Sequence, residues 1–369
     1  MTKTTVAAIV RERDAPFTLE EVELEAPRAG EVLVRMVAVG LCHTDLSARA
    51  GIVPFPLPGV MGHEGAGVVE SVGHGVRRVA PGDHVLASYS SCGVCPQCGS
   101  GRPFICKEFG PLNLLAGTRA DGSHTLRLDG APISGHFFGQ SSFARHALID
   151  ERCLVKVPAD APLGTLAPLG CGIQTGAGAV LNALRPAPGS TVAVFGTGAV
   201  GAAAIMAAAI TGAGRVVAVD LVPERLQLAR GLGATDTIDA GSGDAAEALM
   251  QLGGGAGIDY TIEATGRTAA LSQAISVLAP GGTCAVLGTY GVGVSVPLNA
   301  TFMLDGRSIV GISEGESVPE RFIPALVRLH GLGKLPIERL IRTYPFEQIE
   351  TAAADALAGC TIKPVLLFD

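Results

Sequence analysis

Short apolar runs, cut by glycine and proline, fill roughly the first 170 residues. EVLVRMVAVG, GAGVVESVG and HVLAS are examples, and PGDH from Pro81 to His84 reads as a turn entering a strand. Many short strands separated in this way predict an antiparallel, barrel-like domain. The pattern changes after Leu169. From Thr191 the order is a strand (TVAVF), a glycine turn, an Ala-rich helix, a strand (RVVAVD) and a helix from Pro223. DTID, a helix near Ala245 to Leu252, a strand at IDYTIEAT, a helix at Ala269 to Leu278 and a strand at GTCAVLG follow. Strands alternating with helices predict βαβ units around a parallel sheet. From about Glu314 the alternation stops. A helix near Arg321 to Leu329, the strand-like IRTYPF, a helix near Ile349 to Leu357 and the closing strand KPVLLF read as a return to the first domain. The expected class is α/β: an antiparallel β domain over 1–172 and 314–369, and an inserted, doubly wound parallel sheet over 173–313, with a cleft between them. No period of 20–50 residues stands out, so a solenoid is not expected.

The chain's 369 residues exceed one ordinary core, which agrees with two domains. A net charge of −7 and a pI of about 5.6 argue against nucleic-acid or anionic-membrane partners, since both reward basic surfaces. Gly numbers 50, about twice the usual ~7% share, and aromatics make up only 4% with no Trp. That composition suits Val/Ala/Gly-rich parallel strands under closely packed helices. MTKTTVAAIVRERD has no continuous apolar stretch of signal-peptide type, and Val200 to Ala213 is too short to span a bilayer. Nine cysteines, an odd number with a tight metal-type cluster, predict a reducing cytoplasm rather than a disulfide scaffold.

Four of those cysteines, Cys92, Cys95, Cys98 and Cys106, follow the spacing C-x2-C-x2-C-x7-C. Two-residue gaps let a tight loop aim neighbouring thiolates at one ion, and four sulfurs close a tetrahedron around zinc. Such a shell leaves no open position, so the lobe at about 92–106 is expected to be structural. Zinc chemistry on a substrate would need another site.

Gly196-Thr-Gly198-Ala-Val-Gly201 follows a strand and opens a helix. Its glycines permit a tight turn, close backbone approach to a pyrophosphate and close helix–strand packing. The helix N-terminus then offers unpaired N–H groups to phosphates. Asp220 ends the next strand 19 residues after Gly201, where a carboxylate can accept from a ribose. Leu221 and Val222 follow it, so a 2′-phosphate would meet an acid and no adjacent base; NAD is expected over NADP. Arg225, one helical turn on, could flank the ribose or adenine. A glycine turn that only packs a helix on a sheet is the alternative.

Metal-type residues also occur in VGLCHTDL (Cys42, His43, Thr44, Asp45), VMGHEGAG (His63, Glu64) and PLGCGIQTGAG (Cys171). Taken singly, each is ambiguous: an isolated cysteine in apolar surroundings is most often packing, a histidine beside glycine is often a turn residue, and spacing alone does not bring them together. Taken in order with PGDHV, the cysteine lobe, LGCGIQTG, the GTGAVG loop, the strand-ending Asp220 and IKPVL, they resemble the zinc-dependent medium-chain alcohol dehydrogenases over essentially the full length. GHFFGQSSFARHA and LGCGIQTGAGAVLN are most similar to the aryl-alcohol (benzyl alcohol) dehydrogenase branch.

The resemblance implies a GroES-like catalytic domain, an inserted Rossmann domain and two zinc ions per chain. It assigns the catalytic zinc to Cys42, His63 and Cys171, which leaves a fourth position where an alcohol oxygen could be acidified. Glu64 would lie behind that zinc, and Asp45 would fix the tautomer of His63. Thr44 would pass on the alcohol proton. The family often ends that relay at a histidine five residues after the first zinc cysteine; Ser47 stands there in this chain, so Ser47, ribose hydroxyls or water would finish it. The resemblance also implies that His43 and Lys363 contact the cofactor phosphates, that Thr175 and Val200 pack near the nicotinamide, and that Phe137 and Phe138 line an apolar alcohol pocket; a solvated surface histidine at His43 and simple core packing of the two adjacent Phe are the alternatives. VSVPLN near Ser295 reads as an edge strand that could pair subunits in a homodimer or homotetramer.

The expected function is oxidation of a primary aryl or allylic alcohol, such as benzyl alcohol, to its aldehyde with NAD. A polyol or thiol-adduct dehydrogenase on the same frame is the enzyme alternative. A non-catalytic dinucleotide-binding relative would be expected to have lost a ligand among Cys42, His63 and Cys171. A zinc-ribbon nucleic-acid binder would want bases around the cluster, where only Arg102 and Lys107 stand.

Overall fold

The computed structural model describes residues 2–291 and 293–369. The chain forms two compact units, one of Met1–Cys171, Val318–Arg328 and Ile337–Asp369, the other of Gly172–Ser317 and Leu329–Pro336. The division falls one residue before the expected boundary at 172/173. The return to the first unit comes at Val318 rather than 314, and Leu329–Pro336 belongs to the second unit.

The first unit opens with ten strands: β1 (Lys3–Val10), β2 (Thr18–Leu24), β3 (Glu31–Gly40), β4 (Gly59–Val60), β5 (Glu64–Val72), β6 (His84–Ala87), β7 (Leu126–Leu128), β8 (Ala131–Ile133), β9 (His146–Asp150) and β10 (Leu154–Val157). The second unit contributes β11 (Thr191–Phe195), β12 (Arg215–Asp220), β13 (Asp236–Asp239), β14 (Ile258–Glu263), β15 (Leu278–Val286) and β16 (Ser308–Gly311); β17 (Ile341–Pro345) and β18 (Lys363–Leu367) return to the first.

In the first unit one sheet runs β4-β1-β2-β7-β8 and the other β10-β6-β5-β3-β18-β17, with β9 also on β3. Pairing is antiparallel except between β17 and β18. Ile9, Val39, Leu41, Phe55, Met61, Phe137, Phe143 and Phe346 belong to one buried apolar core. The register of β3 on β5 sets the chemistry, because it places Gly40 opposite Glu64.

The second unit is a six-stranded parallel sheet ordered β13-β12-β11-β14-β15-β16. Numbered within the unit this is 3-2-1-4-5-6, the doubly wound order whose ligands bind at the carboxyl ends of the strands where the order reverses. The helix Ala199–Ile210 is buried from Gly201 to Ala208, and its small side chains let it lie close on the sheet. Pro223 at the first position starts the helix Pro223–Gly231. Asp244 caps Ala245–Leu252 by accepting from the amides of Ala246 and Glu247 at 2.8 and 3.2 Å.

VSVPLN is not a strand: Val294–Asn299 has no regular structure, and β16 forms the outer strand of the sheet. Pro297 removes a ladder donor from an otherwise β-prone run. Among the described residues, no helix is long and apolar enough to cross a membrane.

Candidate metal centre and dinucleotide loop

Cys42 lies two residues past Gly40, and His63 one residue before Glu64, so the β3–β5 register brings them side by side. Cys171 arrives from the other direction. Ser88, just after β6, donates its hydroxyl to the Gly170 carbonyl at 2.8 Å. Gly170 has no room for a side chain, since a Cβ there would stand 2.2 Å from the Ala87 oxygen. Ligand atoms of Cys42, His63, Glu64 and Cys171 all lie within 4.8 Å of one another.

Asp45 orients this group. One oxygen sits 2.9 Å from Nδ1 of His63 and accepts from the Gly62 amide at 3.0 Å, while the other accepts from the Cys42 amide at 2.9 Å. With Nδ1 on Asp45, Nε2 is buried and has no hydrogen-bond partner. A buried orphan nitrogen beside two thiols is what a zinc ligand set looks like without its ion. The Cys171 hydrogen bond, against burial, holds the Cys42 thiol well below its ordinary range, which favours the thiolate a metal needs. Burial pushes the His63 pKa down, but Asp45 overrides it and holds the ring well above its ordinary range. Metal entry would displace that proton.

Phe137 and Phe138 do not face solvent, being 0% and 4% exposed. Phe138 stacks on His63 at 4.5 Å and Phe137 meets it edge-on at 5.5 Å. They wall the centre with apolar surface. Thr44 Oγ1 lies 3.8 Å from Cys42 Sγ. Ser47 is half-buried in the same short helix, His43–Arg49, and its carbonyl accepts from Ile52 and Val53 at 2.9 and 3.1 Å. His43, also on that helix, is exposed.

Lys363, expected at a cofactor phosphate, pairs with a protein carboxylate in this structure. Val365 of β18 pairs with Gly40 of β3, which carries Lys363 inward. The residue is 2% exposed, and its ammonium donates to both oxygens of Glu64 at 2.9 and 3.0 Å and to the Leu41 carbonyl at 3.3 Å. Burial opposes the charge on Lys363, but Glu64 more than compensates and raises its pKa. The pair is possible because Gly40 is bare: a Cβ there would come 1.9 Å from the Glu64 carboxylate.

Gln140 was not visible as a site residue in the sequence. It is buried, donates to the carbonyls of His63 and Ser88 at 2.9 and 3.2 Å, and accepts from the Gly65 amide at 3.1 Å. The available signal was one amide inside the apolar run HFFGQSSFA.

Cys92, Cys95, Cys98 and Cys106 form the second cluster, also within 4.8 Å. Amides point at the sulfurs: Cys92 to Cys106 at 3.3 Å, Cys95 to Cys92 at 3.3 Å, Cys98 to Cys95 at 3.5 Å and Glu108 to Cys106 at 3.4 Å. The Cys98 amide leads in holding Cys95 down at about 6, whereas burial pushes Cys106 up to about 12. A shared cation would bring all four to thiolates. Cys98→Ser is expected to release this zinc, lower stability by several kcal/mol and lower Tm by roughly 5–10 °C. Calorimetry with metal analysis checks it; an unchanged Tm on metal loss would remove the structural role.

In the second unit Gly196 has φ 86° and Gly198 caps the helix in extended geometry. A Cβ on Gly201 would stand 1.8 Å from the Gly196 oxygen, and one on Gly176 1.9 Å from the Val200 oxygen. The helix Gly172–Gly178, which carries Thr175, therefore lies directly against the start of Ala199–Ile210. Asp220 binds the loop itself. One oxygen accepts from the Thr197 amide and hydroxyl at 2.6 and 2.7 Å, the other from Leu221 and Val222 at 2.8 and 3.1 Å. Arg225 follows in the helix Pro223–Gly231. Glu263, at the end of β14, is a fully buried carboxylate that sequence reading missed. It accepts from the amides of Thr265 and Gly266 at 2.6 and 3.0 Å and from the Tyr290 hydroxyl at 2.5 Å, tying two loops beside Gly196. A single acid in the otherwise apolar end of a central strand was the signal.

Residues 28–159 match the family model described as alcohol dehydrogenase GroES-like domain, and residues 199–330 the one described as zinc-binding dehydrogenase. Geraniol dehydrogenase of Castellaniella defragrans is 43% identical over 98% of this chain and 97% of its own. An alcohol dehydrogenase zinc-binding domain protein from Burkholderia ambifaria superposes with a TM-score of 0.97 at 50% identity, over 100% of both chains. Benzyl alcohol dehydrogenase from Acinetobacter calcoaceticus does so with a TM-score of 0.96 at 42% identity, again over 100% of both.

Proposed function

The chain belongs to the zinc-binding, medium-chain alcohol dehydrogenases, and from that premise we propose that it oxidises a primary aryl or allylic alcohol to the aldehyde, with NAD as hydride acceptor. The observation that carries the proposal is the convergence of Cys42, Cys171 and the unpartnered Nε2 of His63 within one 4.8 Å cluster. These three residues would hold zinc and leave its fourth position open. When bound, that zinc supplies Lewis acidity to an alcohol oxygen.

The chain's own residues would do the rest. Asp45 keeps His63 in the tautomer that presents Nε2 outward. Lys363 holds Glu64 in an ion pair, so that the carboxylate does not compete freely for the fourth position. Thr44, beside Cys42, can accept the alcohol proton at its hydroxyl and donate its own onward, with Ser47, ribose hydroxyls or water completing the path. Phe137 and Phe138 keep water from the ring of His63 and make the surroundings apolar, which suits an aryl or allylic group. The names of two similar proteins, geraniol and benzyl alcohol dehydrogenase, support that class.

In the other unit the loop Gly196 to Gly201 would cradle the pyrophosphate, and Asp220 would accept from the ribose. Asp220→Ala is expected to reduce the preference for NAD over NADP by about tenfold or more, the loss of a charged acceptor bond. Comparing kcat/KM for both cofactors checks it, and an unchanged ratio would refute the ribose role.

The decisive experiment screens benzyl, cinnamyl, terpene and short aliphatic alcohols with NAD and NADP on protein of measured zinc content. About two zincs per chain on the ligand count and highest kcat/KM for an aryl or allylic alcohol with NAD are expected. One zinc with no alcohol-dependent NAD reduction would overturn the enzyme reading; highest turnover on a polyol or thiol adduct would overturn the substrate class. The same reading takes the protein as a cytoplasmic homodimer or homotetramer, to be checked by light scattering.

A further inference from the structure

Phe138 has φ 52° and ψ 32°, the left-handed region. For a bulky side chain this conformation is unfavourable and persists only where the surroundings enforce it. Gly139 and Ser141 follow with φ 67° and 47°. The turn is bolted to the segment that carries His63. Ser141 donates its hydroxyl to the Val60 carbonyl at 2.6 Å and accepts from the Phe137 amide at 2.8 Å. The amides of Ser142 and Phe143 reach the carbonyls of Gly62 and Met61 at 2.9 and 3.0 Å. Gln140 holds the His63 carbonyl and the Gly65 amide. Main-chain or side-chain bonds thus fall on Val60, Met61, Gly62, His63 and Gly65, on both sides of the imidazole. What the left-handed residue brings to this frame is its ring, which stacks on His63 at 4.5 Å with planes 24° apart.

We propose that Phe138 is a positioning residue for the metal ligand His63. Its strained backbone swings an aromatic face onto the imidazole and fixes the ring plane, while Asp45 fixes the rotation through Nδ1. Asp45 alone leaves the imidazole free to tilt about the hydrogen bond; the stacked face removes that freedom and holds Nε2 toward Cys42 and Cys171. The inference rests on the reading of these three residues as a zinc site, and it does not depend on which alcohol is oxidised.

The test compares Phe138→Leu and Phe138→Ala with the wild type, as zinc-loaded protein, following zinc release to an excess of a chromogenic chelator. Leucine keeps bulk and apolarity but has no aromatic face. The loss of a group that orients a metal ligand typically costs 10–100-fold in metal affinity, so both variants are expected to release one of two zincs about tenfold or more faster. The second zinc, in the Cys92–Cys106 lobe, should leave at the wild-type rate. In cobalt-substituted protein the visible spectrum of the faster site should also broaden. Wild-type release from Phe138→Leu would overturn the proposal and leave the side chain as packing alone. If Phe138→Ala does not fold, Phe138→Leu still decides. A wild type that binds and releases two zincs but oxidises no alcohol would sink the proposed activity and leave this inference standing.

Discussion

Replacing Cys171 by alanine is expected to remove one of the two zincs and to lower alcohol-dependent NAD reduction by about 10³-fold or more, the scale on which metal-assisted acidification of an oxygen operates. Zinc in an open site is held by three protein ligands, and this change leaves two. His63 and Cys42 remain, but Glu64 cannot readily replace the lost sulfur, because Lys363 holds both of its oxygens at 2.9 and 3.0 Å. The variant should still fold. Cys171 is a single small side chain, and alanine in its place leaves the β3–β5 register and the Asp45 bonds untouched. NAD binding should stay within about twofold, since the proposed cradle, Gly196 to Gly201 with Asp220, lies in the other unit. Metal analysis, steady-state kinetics and calorimetric titration with NAD form the test. The contrast with Cys98→Ser sharpens it: each variant should lose one zinc, but only Cys171→Ala should lose activity before stability. Wild-type turnover in Cys171→Ala would remove the catalytic assignment.

That contrast also marks where sequence reading succeeds. The four-cysteine lobe is local, so spacing alone predicts a cluster that the structure then forms. The helix at Ala245 to Leu252 and the strand at RVVAVD were legible for the same reason: period and punctuation are local signals. The dispersed centre is not local. Cys42 and His63 meet because Gly40 pairs with Glu64, and Cys171 joins them across more than a hundred residues through Ser88 and Gly170. No spacing rule contains a strand register, so only a family resemblance could name that set. Lys363 shows the reverse case. A lysine near the chain end reads naturally as a phosphate contact, and only the pairing of β18 on β3 reveals a buried partner in Glu64. Gln140 and Glu263 are each one polar residue in an apolar stretch, and their importance lies in which amides they satisfy, which a one-dimensional pattern does not record.

Two glycines of the dinucleotide loop separate binding from folding. Gly198→Ala is expected to raise the Kd for NAD by about 100-fold, or roughly 2.7 kcal/mol, while stability changes by less than about 1 kcal/mol. Gly198 has φ −65° and ψ −170°, extended backbone that alanine adopts without strain, and a Cβ there meets nothing within 4 Å. The free protein therefore has no reason to require glycine at that position. On the proposed reading the requirement would come from what approaches the backbone, since the second glycine of such a fingerprint lets the chain come close to a pyrophosphate. Gly201→Ala acts on the fold instead. Its Cβ would lie 1.8 Å from the Gly196 oxygen and 3.3 Å from Val194 Cγ1, so the helix must lift from the strand. Overpacking of this kind costs about 1–3 kcal/mol or more, and NAD affinity should fall because the amides of the helix start move with it. Thermal melts beside calorimetric titration distinguish the two: Gly198→Ala should melt like the wild type and bind NAD poorly, whereas Gly201→Ala should lose both. Wild-type NAD affinity in a folded Gly198→Ala protein would mean that this loop packs the helix on the sheet and holds no pyrophosphate.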